Sequence, residues 1–375
     1  MPVKYTRLLI VWAFIVAAGW LQAGGAALAA PSGVTPRVCV SMSSAELQKL
    51  DIPDDQIHSV RLTDDGRRLV IVVHRPGKKA RLVELDATTG RLAADVDVDL
   101  DFVQVLATTA DGSKALAVGD YASKAVAIDV AARACTTVFT KESSPYRFSL
   151  PVSVTSAPDG TWITRGYTVD KDDVAQGDEL TALRIEPGKP MVTTRLLDLD
   201  ALLAQSAIAN GQLLALNRTP DGRCVVFSVA RNVQSCTLFV QRAPGEKPRA
   251  VLDADAVGAI TMGRDDGVAY ATVRRGDSGE LVALDLKNAK ARTLARGVFT
   301  PVLLGAGDRW LMTGTIAPRL ASHDLVVGQQ GSRYKLSPLQ LAGWRNGATY
   351  YSLSARSGAF ALWTKNRIVI GTLGN

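Results

Sequence analysis

The sequence predicts an all-β fold, a seven-bladed β-propeller of four-stranded antiparallel blades behind an N-terminal signal helix, and two features carry that expectation. The first is a turn that recurs about every 40 to 62 residues between apolar runs: Asp64-Asp65-Gly66, Asp111-Gly112, Asp159-Gly160, Asp221-Gly222, Asp265-Asp266-Gly267, the degenerate Gly305-Ala306-Gly307-Asp308, and Arg345-Asn346-Gly347. Repetition near the length of a four-stranded unit is the signature of a propeller. The second is an acidic residue that closes the third apolar run, as in Leu85-Asp86, Ile128-Asp129 and Leu284-Asp285. Tight hairpins need positive φ, which Asp and Gly tolerate, so the turn carboxylates have a mechanical role and are not read as catalytic.

Residues 1–29 read as a signal peptide. Lys4 and Arg7 supply the positive start, Leu8 to Trp20 is densely apolar, and Ala27-Leu28-Ala29 gives a small-residue cleavage pattern before Ala30. With the signal removed, no membrane span is expected. Residues 30–58 form an extension. Within it Arg37–Ser41 is a strand suited to pairing beside the last blade, and Ser44–Leu50 is a helix with Ser43 or Ser44 as cap and Glu46 in its first turn. The propeller occupies 59–375.

Its blades are expected over Ser59–Asp99, Val103–Lys141, Val152–Leu199, Leu213–Leu252, Ala259–Leu294, Pro301–Leu336 and Leu339–Leu373. The run Leu-Val-Ile-Val-Val in blade one is apolar at every position, as in a strand covered on both faces. The blade pattern resembles exported bacterial propellers of the YVTN and TolB-like (WD40-like) type, which overlap with quinoprotein amine dehydrogenase-like repeats. The YVTN tetrapeptide itself is absent, and the resemblance implies fold rather than function.

Of the 375 residues, 47% are hydrophobic and only 6% aromatic, so Ala, Val and Leu must fill the core. Removing the signal deletes Lys4 and Arg7 and no acid, which lowers the formal charge from +7 to +5. That is too dilute to indicate nucleic acid. An exported chain, periplasmic or secreted, meets an oxidising compartment where cysteines pair. A tight blade-four hairpin would set Cys224 against Cys236, and elimination would then pair Cys39 with Cys135. No CxxC or CxxCH occurs, and neither a metal nor a cofactor is expected.

In a propeller, first-to-second turns share one face, here the bottom. Second-to-third loops and the links between blades share the other, the top. The long departures from the repeat fall on the top around blade three: Lys141–Leu150, Tyr167–Asp178 and Asp200–Gly211. The top loops are also rich in basic and aromatic residues. The ligand-binding candidates are therefore Arg75, Lys78, Tyr121, Tyr146, Arg147, Tyr167, Arg231, Arg274, Arg319 and Arg356. The three histidines, His58, His74 and His323, occupy different repeat positions and suggest no shared site. The expected function is non-catalytic binding of an envelope protein, peptide or anionic polysaccharide. The alternative is a periplasmic propeller enzyme: a lyase, hydrolase or quinoprotein-like oxidoreductase.

Overall fold

The computed structural model describes residues 36–373 apart from 64, 150–153, 157–159, 187–188, 190, 206–211, 220–222, 233–234, 244–245, 264–266, 277, 297–299, 305–309, 317–322, 330–335, 339–349, 355–356 and 365–366. The expected signal segment lies outside this set. Among the described residues no helix is long and apolar enough to cross a membrane.

The described residues begin with strand β1 (Pro36–Ser43) and helix α1 (Ser44–Lys49). Ser43 caps the helix: its N–H and hydroxyl donate to Glu46 Oε2 at 2.8 and 2.7 Å. A short 3-10 turn, Asp54–Gln56, leads into blade one: β2 (Ile57–Leu62), β3 (Arg68–Val73), β4 (Arg81–Asp86) and β5 (Leu92–Asp97). Blade two is β6 (Val103–Thr108), β7 (Lys114–Gly119), β8 (Lys124–Asp129) and β9 (Ala134–Thr140). Blade three is β10 (Tyr146–Phe148), β11 (Val154–Ser156), β12 (Trp162–Val169), β13 (Ala175–Arg184) and β14 (Val192–Asp198), followed by α2 (Leu199–Gln205).

Blade four is β15 (Gln212–Arg218), β16 (Val225–Asn232), β17 (Ser235–Gln241) and β18 (Arg249–Ala254). Blade five is β19 (Ala256–Met262), β20 (Val268–Arg275), β21 (Ser278–Asp285) and β22 (Lys290–Arg296). The next sheet is β23 (Thr300–Leu304), β24 (Trp310–Ile316), β25 (His323–Gln329) and β26 (Leu336–Pro338). The closing sheet is β27 (Tyr350–Leu353), β28 (Ala359–Thr364) and β29 (Arg367–Leu373), with β1 as its outer strand.

The fold is an all-β propeller, but the expectation of seven four-stranded blades is overturned. Six sheets hold four antiparallel strands, and the blade-three sheet holds five, because β10 and β11 both pair with β12. The segment around Tyr146–Phe148, expected as a top link, is thus a strand. Blade three also differs at its second hairpin. Tyr167 lies within β12, and the connection to β13 shrinks to residues 170–174, where a long loop over Tyr167–Asp178 was expected. The closing sheet is shifted by one strand, since β1 takes the outer position and Arg367–Leu373 becomes the third strand. The expected strand Leu339–Trp344 lies outside the described residues.

Burial on both faces explains the apolar strands. In β3, Leu69, Ile71 and Val73 pack toward the closing sheet with Val40, Met42, Trp363 and Ile370. Val70 and Val72 point the other way and meet Leu106, Ala117 and Val126 of blade two. A fully apolar strand therefore serves two interfaces at once.

The bottom turns repeat in detail. Thr63 Oγ1 donates to Asp65 Oδ1 (2.6 Å) and accepts from Arg68 N–H (3.1 Å). Thr109 repeats this with Asp111 (2.7 Å) and Lys114 (3.1 Å), and Thr219 accepts from Cys224 N–H (3.0 Å). Ser354, between β27 and β28, accepts from Ser357 N–H (3.2 Å). A side chain at Gly66 would place its Cβ 2.1 Å from Ser357 Oγ, so this turn and the Asp-Gly turn of blade one share the bottom face.

Two bulges recur as well. The first strands carry an extra residue near their top ends: His58, Gln104 and Leu214 each interrupt the register of their hairpin. The outer strands carry another, at Ala93, Val138, Leu196, Val251 and Leu294, and Cys39 of β1 matches them. Strand β1 is therefore built as an outer blade strand. First strands of neighbouring sheets touch around the axis and are tied by Arg61 Nη1 to Leu106 O (2.9 Å), Leu62 N–H to Ser352 Oγ (2.7 Å) and Asn217 Nδ2 to Ile260 O (3.0 Å).

The Cys224–Cys236 disulfide is not present; all four cysteines are free thiols. The β16–β17 register pairs Ala230 with Cys236 and Val225 with Gln241. The hairpin reverses after Asn232, which pairs with Ser235, and not at Ala230, which leaves the two cysteines at opposite ends, roughly 20 Å apart along the strands. Cys39 and Cys135 sit on outer strands of the closing sheet and blade two, separated by blade one, so they do not pair either.

Two outcomes are expected. Gly371 lies in β29 where an added Cβ would stand 2.5 Å from Phe360 Cζ and 2.6 Å from Arg37 O. Gly371→Ala should lower stability by about 1–3 kcal/mol through overpacking at the ring closure, measured by urea denaturation. Thiol titration of the unreduced, unfolded protein should count every cysteine as free, and the urea midpoint should not respond to reductant.

Candidate functional site

The top of blade one opens into a cleft of about 690 Å³, lined by residues 55–58, 74–78 and 101–102. Its outer support is α1, whose Leu47 is fully buried together with Ile52. Arg81, itself buried, donates from Nη1 to Asp51 O (2.7 Å) and from Nε to Asp95 Oδ1 (2.5 Å), which clamps the end of the helix onto the blade. The cleft wall is thus anchored in the sheet.

Two histidines that seemed unrelated meet here. The bulge in β2 carries His58, and the first residue past β3 is His74, whose N–H donates to Gln56 O at 2.8 Å. Their rings stack with centroids 4.3 Å apart at 20°. Phe102 closes the cluster, 5.2 Å from His58 and 4.6 Å from His74. His74 Nε2 accepts from Val103 N–H at 3.1 Å, which requires that nitrogen to be unprotonated. Burial holds both imidazoles below their ordinary range, and His58 adds to the shift at His74. The pair was legible: His58 and His74 are symmetric about the turn at 64–66, so the hairpin itself brings them together.

The neighbouring top loop of blade two is strained. Asp120, Tyr121 and Ala122 have φ of 51°, 60° and 61°, three consecutive non-glycine residues in the left-handed region. Hydrogen bonds hold them there. Asp120 Oδ1 accepts from the N–H groups of Asp101 (3.1 Å) and Phe102 (2.9 Å), and Asp120 N–H donates to Phe102 O (2.9 Å). Ala122 N–H donates to Gln104 Oε1, on the bulge that corresponds to His58. The result is a Tyr121 side chain that is 86% exposed.

The expected basic ring on the top face is largely neutralised by acids from the same face. Arg75 pairs with Asp97, and Lys79 lies 2.9 Å from Asp101 and 3.5 Å from Asp99. Lys124 pairs with Asp99, whose carboxyl is held below its usual range first by that bond. Arg231 reaches Asp253 at 3.8 Å. Lys78 and Arg274 are exposed. Arg319 and Arg356 lie outside the described residues.

A second, shallower cleft of about 460 Å³ lies between residues 141–145 and 169–173. Arg147 borders it but is tied to Asp173 (3.2 Å) and to the carbonyls of Ser144 (2.5 Å) and Tyr146 (2.9 Å). Tyr146 is not on the surface. It is 1% exposed within the interface of blades two and three, and burial pushes its phenol up. Gly166 makes room for it, since a Cβ there would lie 2.0 Å from the Tyr146 hydroxyl oxygen. Tyr167 is half-buried on β12 opposite Arg147. Asp170 accepts from the N–H groups of Asp172 (2.9 Å) and Val174 (3.0 Å), so the acidic loop is a self-capped turn. Among the described residues no group of three or more His, Cys, Asp or Glu is placed to hold a metal ion.

No protein-family model matches the sequence, and no curated protein does. Solved structures do match in fold. The β-propeller domain of Cps50 (Swd1) from Myceliophteria thermophila aligns over 91% of this chain and 100% of its own, with a TM-score of 0.57 and 13% identity. Hydrazine synthase of Kuenenia stuttgartiensis aligns over 84% of this chain and 96% of its own, with a TM-score of 0.53 and 12% identity. At such identities the similarity establishes a WD40-like propeller fold alone.

The histidine stack predicts a pH dependence. Below about 6.5 the unfolded chain protonates both histidines while the folded chain resists, so the unfolded state binds more protons and stability falls as pH drops. Two imidazolium charges 4.3 Å apart would repel by on the order of 4 kcal/mol at an effective dielectric of 20. The urea midpoint should decline between about pH 7 and 5, and His58→Gln should flatten that decline.

Proposed function

We propose that this chain is an exported, non-catalytic propeller of the YVTN/TolB-like kind, periplasmic or secreted, whose top face binds an envelope protein, peptide or polysaccharide. The observation that carries the reading is the left-handed run Asp120–Ala122. A strained backbone persists only where the surroundings over-determine it, and such strain concentrates at binding sites. Here several hydrogen bonds hold a loop whose one exposed product is Tyr121, beside the cleft of blade one. Exposed aromatics on rigid supports are the usual anchors of interfaces.

The first strands support a binding role over a channel enzyme. Among the described residues, no Asp or Glu stands on any of β2, β6, β10, β11, β15, β19, β23 or β27. A channel without carboxylates has little means for acid–base work. The N-terminal stretch through Ala30 supports export. The enzyme alternative rests on His58, a neutral imidazole lining an open cleft.

The reading is tested by immobilising the mature chain and measuring what it retains from envelope extract. Tyr121→Ala combined with Arg231→Glu, both on the top, should abolish retention with the melting temperature kept, because exposed loop charges add little stability. Arg67→Glu with Arg91→Glu on the bottom should leave retention intact. Loss of retention with the bottom pair alone would overturn the assignment of the face.

A further inference from the structure

We propose that the cleft at the top of blade one, lined by Phe102 and neighboured by the loop that exposes Tyr121, is a subsite for a neutral saccharide; this deepens the top-face reading above and rests on it. Three observations converge. The first is charge. Arg75, Lys79 and Lys124 are each engaged by Asp97, Asp99 or Asp101. Of the remaining ionic groups in the lining, Lys78 and Asp55 have opposite signs. No net field is left to recruit an ion, so the occupant must be recognised by shape and uncharged contacts.

The second is exposed ring surface held in place. Phe102 is 40% exposed although two imidazoles pack against it, and its main-chain N–H is fixed by Asp120. The same aspartate begins the left-handed run that projects Tyr121. Rings presented this way offer flat apolar faces to the C–H surface of a pyranose.

The third is the set of hydrogen-bonding groups around those faces. The side chains of Gln56 and His58 make no hydrogen bond among the described residues, and both line the cleft with Asp55 and Lys78. Apolar faces rimmed by a few convergent polar groups are what a polyhydroxyl ligand requires. A proline-rich or helical peptide would instead need a continuous apolar floor, which Asp55, Gln56 and Lys78 interrupt.

The test is calorimetric titration of the mature chain at neutral pH with cellohexaose, chitohexaose and maltohexaose, and with hexagalacturonate as the anionic comparison. At least one neutral hexasaccharide should bind saturably, with an affinity that does not change between low and high salt. Phe102→Ala should weaken it about tenfold or more. Phe102→Leu, which keeps apolar bulk without a ring, should weaken it similarly with the fold retained, whereas Arg67→Glu on the bottom face should have no effect. Failure of all three neutral sugars, binding of hexagalacturonate alone, or wild-type affinity in Phe102→Leu would each overturn the proposal. If retention from envelope extract still depends on the top face while no saccharide binds, the saccharide is wrong and the wider reading stands. If the saccharide binds but extract retention ignores the top face, the reverse holds.

Discussion

The blade-one sheet of this propeller is apolar on both faces, so it is not stable without a neighbour on either side. That requirement organises everything else. Leu69, Ile71 and Val73 need the closing sheet as much as Val70 and Val72 need blade two. A row of such sheets has an unmet face at each end until the row becomes a ring. The chain meets the demand by placing β1 beside β29, with pairs from Pro36↔Leu373 to Ser43↔Arg367. The matching bulge at Cys39 shows that β1 is shaped as an outer blade strand rather than added as a patch.

The two ends of the ring follow different rules. Bottom turns share a device: a Thr or Ser hydroxyl at the end of one strand accepts a backbone N–H from at or just before the start of the next. Top connections are individual. One carries a capped helix, one a run of left-handed residues, and one a self-capped acidic turn. A fixed chassis with variable loops lets a surface change without disturbing the packing beneath. The charges on that surface also follow a logic. Acids in the blade-one outer strand and link, Asp97, Asp99 and Asp101, meet the bases of adjoining loops.

Much of the fold was legible because it depends on local chemistry. Asp-Gly turns fix hairpins, and apolar runs between them fix strands. Pairing of Arg37–Ser41 beside the last blade was also readable, from the closure requirement alone. What escaped depends on register. Cys224 and Cys236 looked opposed only if the hairpin turned at Ala230, and a turn a few residues later separates them. Tyr146 and Tyr167 looked like loop residues because blade three departs from the repeat, yet β12 extends to Val169 and draws both into the sheet. The basic ring was visible as residue types, but its neutralisation needed the acids of other loops in space. His58 and His74 were missed for want of one step, reflecting the hairpin through its own turn.

The position of β1 has a consequence for how the molecule is made. A ribosome produces this strand before any blade, yet its partner β29 emerges only after all the other strands described here. Until then β1 has no sheet to join, and its ladder groups are an open template for other chains. The entropy of closing so long a loop is modest, because each doubling of length adds only about 0.6 kcal/mol. The hazard lies in time rather than in free energy: completion waits until every intervening blade has been made. For a chain of this build, the interval between the first strand and the last is when it is most exposed to misassembly.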